Sequence, residues 1–361
     1  MRNGGDVIVF DALWPFLNIG QLHLMSQTCR RAKSELRNKA QPRVRINNLE
    51  DGLSLMRSFL KVKLIIRNQV YGTIPCSPER LSKLTRVSEL SFRCLADEPL
   101  ELNVYSIRDL INLEWLEMHR YVFEGGDLIF LTKLTHLSLF SNPIRGAALP
   151  LMANLTWLDI ADCGYVDDDS LRNFPNLIHL GIGWEDNIIT NKGLLHFPGL
   201  RSLDVFGNEH VTSAGILTLT RLQILRVGSP QVDGSFSRLT SLTKLEIFGS
   251  SHQITESDIE NMLGLEALVF DYNELITSNP VAKLVSLREL TLKSTMRDIF
   301  DLRALGSLSK LQRLVLWNTD ITFENVRCLQ DLTSLDVRGN SGFEGVNLFE
   351  HFPKLRTLEK N

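Results

Sequence analysis

The chain has few cysteines, and they are not spaced to cross-link: Cys29, Cys76, Cys94, Cys163 and Cys328 are odd in number and form no CxxC pair. They read as reduced thiols, which points to the cytoplasm or nucleus. No stretch approaches the length of apolar sequence that a membrane-spanning helix needs, so no membrane insertion is expected. Asp6, Asp11 and Pro15 interrupt the apolar residues of the amino terminus, and no charged start leads into an unbroken apolar run, so no secretory leader is evident. A glycine-rich phosphate loop, a GxSxG elbow and an HExxH helix are all lacking, which removes the usual signatures of nucleotide, acyl-transfer and zinc chemistry. Net charge is small as well: a formal −3 over 361 residues argues against a general nucleic-acid binder. That sum hides an asymmetry, because residues 1–100 hold 16 Lys and Arg against 9 Asp and Glu, and the remainder holds 23 against 33.

What the chain has in abundance is a repeated phrase. Thirteen times between Leu84 and Leu358 an apolar residue and two variable ones occur twice over and run into an apolar-variable-apolar core. The third apolar residue marks each copy: Leu90, Leu116, Leu137, Leu158, Leu180, Leu203, Leu225, Leu245, Leu268, Leu290, Leu314, Leu335 and Leu358, at steps of 20 to 26 residues. In Leu131-Thr132-Lys133-Leu134-Thr135-His136-Leu137-Ser138-Leu139-Phe140-Ser141-Asn142 the closing residue is an Asn; that slot also holds Cys163, Asn208, Asn273, Thr319 and Asn340, with Ser250 and Thr295 elsewhere. This period and pattern resemble leucine-rich repeats, in which each copy is a short strand plus a return segment and the closing Asn or Cys bonds the backbone of the turn. The resemblance implies an α/β fold, a leucine-rich repeat solenoid with a curved parallel sheet and short helical or irregular returns on its convex side. Apolar-polar pairs follow the slot at Val166-Asp167, Ile189-Thr190, Val211-Thr212, Val232-Asp233, Ile254-Thr255, Ile276-Thr277 and Ile321-Thr322. Asp and Thr accept the orphan N–H groups of a first helical turn, so short turns are expected there, with Thr255-Glu256-Ser257-Asp258 approximating a capping box. Met296-Arg297-Asp298 breaks the pattern.

Residues 1–40 read as a separate helical segment. Val7, Phe10, Leu13, Trp14 and Leu17 recur at helical spacing, Asn18-Ile19-Gly20 interrupts them, and Leu22, Met25 and Cys29 resume before Arg30 and Arg31. One reading is a cap over the apolar end of the array. The other rests on Leu17, Leu22, Met25, Cys29, Arg30 and Arg31, which resemble the F-box, although the usual opening Leu-Pro is replaced by Asp6-Val7 and Ala32 stands where an aromatic is expected. That resemblance implies a substrate receptor of a cullin-based ubiquitin ligase, with Phe10, Leu13, Trp14, Leu17, Leu22 and Met25 docking the ligase adaptor. Residues 41–84 bridge to the array proper at 85–361. There Val44 and Ile46 alternate with Arg43 and Arg45, and Val62, Leu64 and Ile66 with Lys61, Lys63 and Ile65, which suggests two strands opening the sheet. The basic side chains of this stretch lack interleaved aromatics and read as a solvated strand face.

Alternate residues of a strand face opposite ways, so the neighbours of the inward leucines line an exposed, concave face in columns. Among them Trp115, Phe140, Trp157, Phe206, Phe248 and Trp317 are large rings with no core to fill, and Glu117, Asp159, Asp204 and Glu246 form an acidic stripe beside them. Exposed aromatics grouped together mark binding surfaces, and this set suits a protein partner with basic residues and apolar anchors. The rings could instead pack on one another across strands and stiffen the sheet. His136, Asp159 and His179 invite a metal or acid-base reading, but two histidines separated by two strands lie about 10 Å apart, too far to share one ion. The sequence therefore reads as a protein-binding chain, not an enzyme, with no cofactor, no nucleic acid and no membrane among its expected partners; a free-standing scaffold or inhibitor is the alternative to the ligase receptor.

Overall fold

The computed structural model describes residues 43–46, 63–70, 83, 85, 87–94, 100–101, 107–122, 125–146, 149–234, 236–249, 254–272, 277–293, 302–319 and 321–360. The F-box-like segment lies outside the described residues, as do Ser250, Asn273, Thr295 and Met296-Arg297-Asp298. The chain divides into two compact units, one running to Val166 and including Arg172–Asn176, the other formed by Asp167–Leu171 and Leu177–Asn361.

In the first unit the strands Arg43–Ile46, Lys63–Val70, Val87–Cys94, Trp115–His119, His136–Ser138 and Trp157–Asp159 pair in parallel, each with the next. The first two are the strands expected from the alternation around Val44 and Leu64. In the second unit His179–Gly181, Ser202–Asp204, Ile224–Val227, Lys244–Phe248, Ala267–Asp271, Glu289–Lys293, Arg313–Trp317, Ser334–Asp336 and Thr357–Glu359 do the same. Every marker leucine lies in a strand, and within each unit successive markers pair directly, as in Leu116 with Leu137 and Leu203 with Leu225. From Leu90 to Leu335 none is more than 1% exposed. Burying a leucine fully is worth about 1.5–3 kcal/mol, and one coil has no second surface to bury it against, so the neighbouring coil is part of the fold of each.

The slot that closes each strand works as its chemistry predicts. Asn142 accepts the Tyr121 N–H at 2.6 Å and donates to the Met118 carbonyl. Asn208 accepts the His210 and Val211 N–H groups at 2.8 and 2.9 Å and donates to Ile182 O. Asn340 accepts the Thr319 N–H at 2.9 Å and donates to Leu316 O at 2.7 Å. Cys163 replaces the amide with a thiol that donates to Leu139 O at 3.0 Å, and burial pushes its pKa up to about 12. The coil after Leu180 has Glu185 in the slot; Asn187, two residues later, is fully buried and accepts the Ile189 N–H at 3.1 Å.

Thr190, Thr212, Thr255, Thr277 and Thr322 occupy the expected capping positions, each preceding a single helical turn; the Thr190 hydroxyl accepts the Lys192 N–H at 3.2 Å, whereas the Thr212 and Thr277 side chains make no bond to the turn they precede. Asp258 closes the capping box on the Thr255 N–H at 2.8 Å, and Asn325 does the same for Thr322 at 3.0 Å. A second layer of caps joins adjacent coils, through the residue that follows the capping position. Asp168 accepts the Thr190 N–H at 2.8 Å, Asn191 the Thr212 N–H at 3.0 Å, and Ser213 the Asp233 N–H at 2.9 Å. Gly215 gives this ladder its room, because a Cβ there would stand 2.2 Å from Asn191 Oδ1.

Candidate partner-binding face

The predicted face falls into patches that lie within single units. In the first unit Trp115, His136 and Trp157 are paired across three adjacent strands. Their rings stack, His136 lying 3.2 Å from Trp115 at 9° and 3.7 Å from Trp157 at 10° between centroids. The cross-strand packing anticipated as an alternative is thus present, and it buries His136 while both tryptophans stay half-buried. The inner ring faces meet one another, so the stack forms one rigid block.

Beside that block runs the row Glu117, Ser138, Asp159, again in direct register. Glu117 accepts the Ser91 hydroxyl at 2.7 Å and the Trp115 indole N–H at 3.0 Å, and the His136 ring nitrogen stands 3.8 Å away. Asp159 accepts the Ser138 hydroxyl and the Ala161 N–H, each at 3.1 Å. On the far side of the row, the half-buried Phe140 ring lies 5.7 Å from His119. His119 Nε2 contacts Ser138 Oγ at 2.9 Å.

In the second unit Asp204, Arg226 and Glu246 occupy the same columns on three adjacent strands. Arg226 bonds Asp204 at 2.8 Å and lies 3.6 Å from Glu246, while Lys244 bonds Glu246 at 2.7 Å. The Arg226 guanidinium also lies 5.2 Å from the Phe206 centroid and 4.4 Å from that of Phe248, whose rings meet edge-on at 5.2 Å. Gly228 makes this packing feasible, because a Cβ there would stand 2.5 Å from the Phe206 ring. Further along, Trp317 is 44% exposed with Lys293 and Arg338 over its ring at 5.5 and 5.7 Å. Of the ten predicted residues, Trp115, Glu117, Trp157, Asp159, Asp204, Glu246, Phe248 and Trp317 lie in strands, whereas Phe140 and Phe206 lie in turns two residues past the ends of theirs; none of the ten is fully buried. All four carboxylates and all of the rings but Trp317 are half-buried.

His179, the third member of the tempting metal set, bonds Ser202 at 2.7 Å, and burial lowers its pKa to about 4. Among the described residues no three His, Cys, Asp or Glu side chains gather to hold a metal ion. None of the helices among them is long and apolar enough to cross a membrane.

No family model matches the chain. It is 28% identical over 207 residues to leucine-rich repeat-containing G-protein coupled receptor 5 of Xenopus tropicalis, covering 53% of this chain and 23% of that protein. It is 28% identical over 175 residues to receptor-like protein 43 of Arabidopsis thaliana, covering 47% of this chain and 24% of that one. The chain thus spans about a quarter of the length of the curated relatives it matches. A leucine-rich repeat protein of Leptospira interrogans superposes over 99% of this chain and 98% of its own, with a TM-score of 0.52 and 20% identity.

The coils are leucine-rich repeats. On this leucine-rich repeat array, the sequence columns found the acids and rings but gave no sign of how Arg226 and Lys244 partner them. They also missed Trp184, which adopts φ +75°, is 46% exposed and meets the Phe206 ring edge-on at 5.8 Å. Its signal was positional: it directly follows the exposed-column residue Gly183, in the turn that leaves the strand.

Proposed function

We propose that this chain is a non-catalytic protein-binding module that captures a partner on the exposed strand face of its repeats. The observation that carries the reading is the placement of Trp115, Trp157, Phe248 and Trp317 in strands, and of Phe140 and Phe206 in the turns just past theirs, all outside the buried leucine positions and interleaved with carboxylates. Rings held rigid by their neighbours lose little freedom when a partner covers them, which favours them as anchors. Replacing Trp157, Asp159, Phe206 and Glu246 together tests the reading: capture of the native partner should be lost while the circular-dichroism spectrum and melting temperature barely change. Unchanged capture would move the site off this face.

The F-box-like residues Phe10, Leu13, Trp14, Leu17, Leu22 and Met25 extend the proposal to a substrate receptor of a cullin-based ubiquitin ligase, working in the cytoplasm or nucleus. Its support is the Leu17 to Arg31 motif placed ahead of the repeats, together with free thiols at the buried Cys163 and exposed Cys328. A pull-down with the ligase adaptor decides it: an established F-box protein that binds, beside an intact chain that does not, would leave a free-standing scaffold or inhibitor.

A further inference from the structure

In the second unit the fourth residue after several marker leucines leaves the strand in the left-handed conformation, with its N–H reaching the next coil. Trp184 does so at φ +75°, donating to Phe206 O at 2.5 Å. Gly249, Tyr272 and Asn318 make the same turn at φ +68°, +58° and +49°, onto the carbonyls of Asp271, Lys293 and Arg338. Gly207 and Gly339 hold the position at φ +75° and +76°. Glycine and asparagine enter this region readily, whereas a bulky side chain there is strained against its own backbone. Trp184 is thus a costly residue at a position where the next coil has Gly207. Burial offsets little of the strain: the indole meets Phe206 edge-on at 5.8 Å and remains 46% exposed. A strained aromatic held at the surface points to a role at that surface.

The surroundings of Trp184 set the chemistry of what it meets. Ile188, four residues on, is 45% exposed and adds apolar surface to the same segment. Residues 184–191, 207–213 and 229–234, which leave three successive strands, contain Glu185, Asp186, Glu209 and Asp233 and no Lys or Arg. Glu185, Asp186 and Glu209 are exposed, and none of the three forms an ion pair among the described residues. Arg226 shows how a ring of this unit receives a cation: its guanidinium lies 5.2 Å from the centroid of Phe206, the ring that Trp184 meets. Tryptophan is the side chain whose face best holds a cation, and a planar, weakly hydrated guanidinium stacks there more readily than an ammonium. We propose that Trp184 anchors the partner by receiving an arginine side chain over its exposed indole, within a basic segment whose charge complements Glu185, Asp186 and Glu209. This rests on the reading of the strand face as the binding surface, and it extends that face into the turn after the strand.

The test uses the full chain and a fluorescein-labelled tetra-arginine peptide, with tetracitrulline, its neutral isostere, as control. Indole N–H resonances locate the contact, the one lost in Trp184→Phe being that of Trp184, and anisotropy gives the affinity. The arginine peptide should shift the Trp184 resonance saturably, and tetracitrulline should bind at least tenfold more weakly. Trp184→Gly should weaken the arginine peptide at least tenfold while melting no lower than the parent chain, which a ring kept for packing would not allow. Glu185→Gln, Asp186→Asn and Glu209→Gln together should also weaken it at least tenfold. Tyr272→Gly relieves the same backbone strain four strands away, about 19 Å, beyond a tetrapeptide anchored at Trp184 that spans about 14 Å; it should leave the affinity within about twofold. The inference is overturned if the Trp184 resonance does not move, if citrulline binds equally well, if the Trp184→Gly or triple variant binds as the parent does, if Tyr272→Gly weakens binding as much as Trp184→Gly, or if Trp184→Gly melts lower. Should any of these occur while the fourfold Trp157, Asp159, Phe206 and Glu246 variant still loses the native partner, the assignment of Trp184 fails and the binding face stands.

Discussion

Arg226 and Phe248 sit 4.4 Å apart, guanidinium carbon to ring centroid, on adjacent strands of the exposed face. The pair ties together acids and rings that look like an open stripe in the sequence. Replacing Arg226 with alanine removes this contact and the ion pair with Asp204, and it leaves Asp204 and Glu246 to repel each other. The expected loss is about 1–2 kcal/mol, kept modest because the side chain is 38% exposed and partly screened. Urea unfolding measures it, and high salt should narrow the difference from the parent chain.

Gly215→Ala should cost about 1–3 kcal/mol, because its Cβ would press the Asn191 amide out of the position from which it caps Thr212. Adding Asn191→Ala should recover part of that loss in thermal unfolding. Strict additivity of the two changes would show that the clash is not the cause.

His179 links stability to pH. Its pKa falls to about 4 in the fold because burial disfavours the imidazolium, whereas an unfolded histidine titrates near about 6.5. Between those values the unfolded chain binds more protons, so this contribution is complete above about pH 6.5 and is lost as the pH falls toward about 4, with a slope of up to about 1.4 kcal/mol per unit. His179→Gln should flatten the stability profile across that window.

Asp167 acts lower on the pH scale. The Ser170 hydroxyl and backbone N–H both donate to its carboxylate and hold its pKa below the usual range. Its stabilisation is present above the ordinary carboxylate pKa and lost as pH falls through the depressed one. Ser170→Ala should reduce the steepness of acid unfolding; an identical acid limb would contradict the assignment.

Cys163 should resist alkylation in the folded chain, since its thiol is buried and its pKa is pushed up to about 12, whereas the exposed Cys328 should react. Peptide mapping after iodoacetamide treatment, with and without denaturant, reads this directly.

The strands were legible because the leucine phrase recurs every 20 to 26 residues: every marker from Leu90 to Leu358 lies in a strand, and Thr at a known offset precedes five short helical turns. The exposed columns were legible for the same reason, as strand alternation fixes which way Trp157 and Asp204 point. Contacts that depend on side-chain reach were not. Whether His136 would stand free or slide between two indoles depends on its rotamer, and whether the Phe206 ring could pack beside Arg226 depends on the room left by Gly228. Asn187 escaped because it does the work of the closing slot from two residues beyond it. The coil-to-coil ladder of Asp168, Asn191 and Ser213 links residues about one repeat apart, and no single copy of the motif displays it.

Footprinting of the native complex by a photo-activated carbene label tests the binding face most directly. The return segments supply an internal control, because Ile129, Leu151, Leu195 and Leu263 are each more than half exposed there. Protection on complex formation should fall on Trp115, Phe140, Trp157 and their neighbours on the strand face, with those four labelled as in the free chain. Protection of Ile129, Leu151, Leu195 and Leu263, with labelling of the strand-face rings unchanged, would contradict the account.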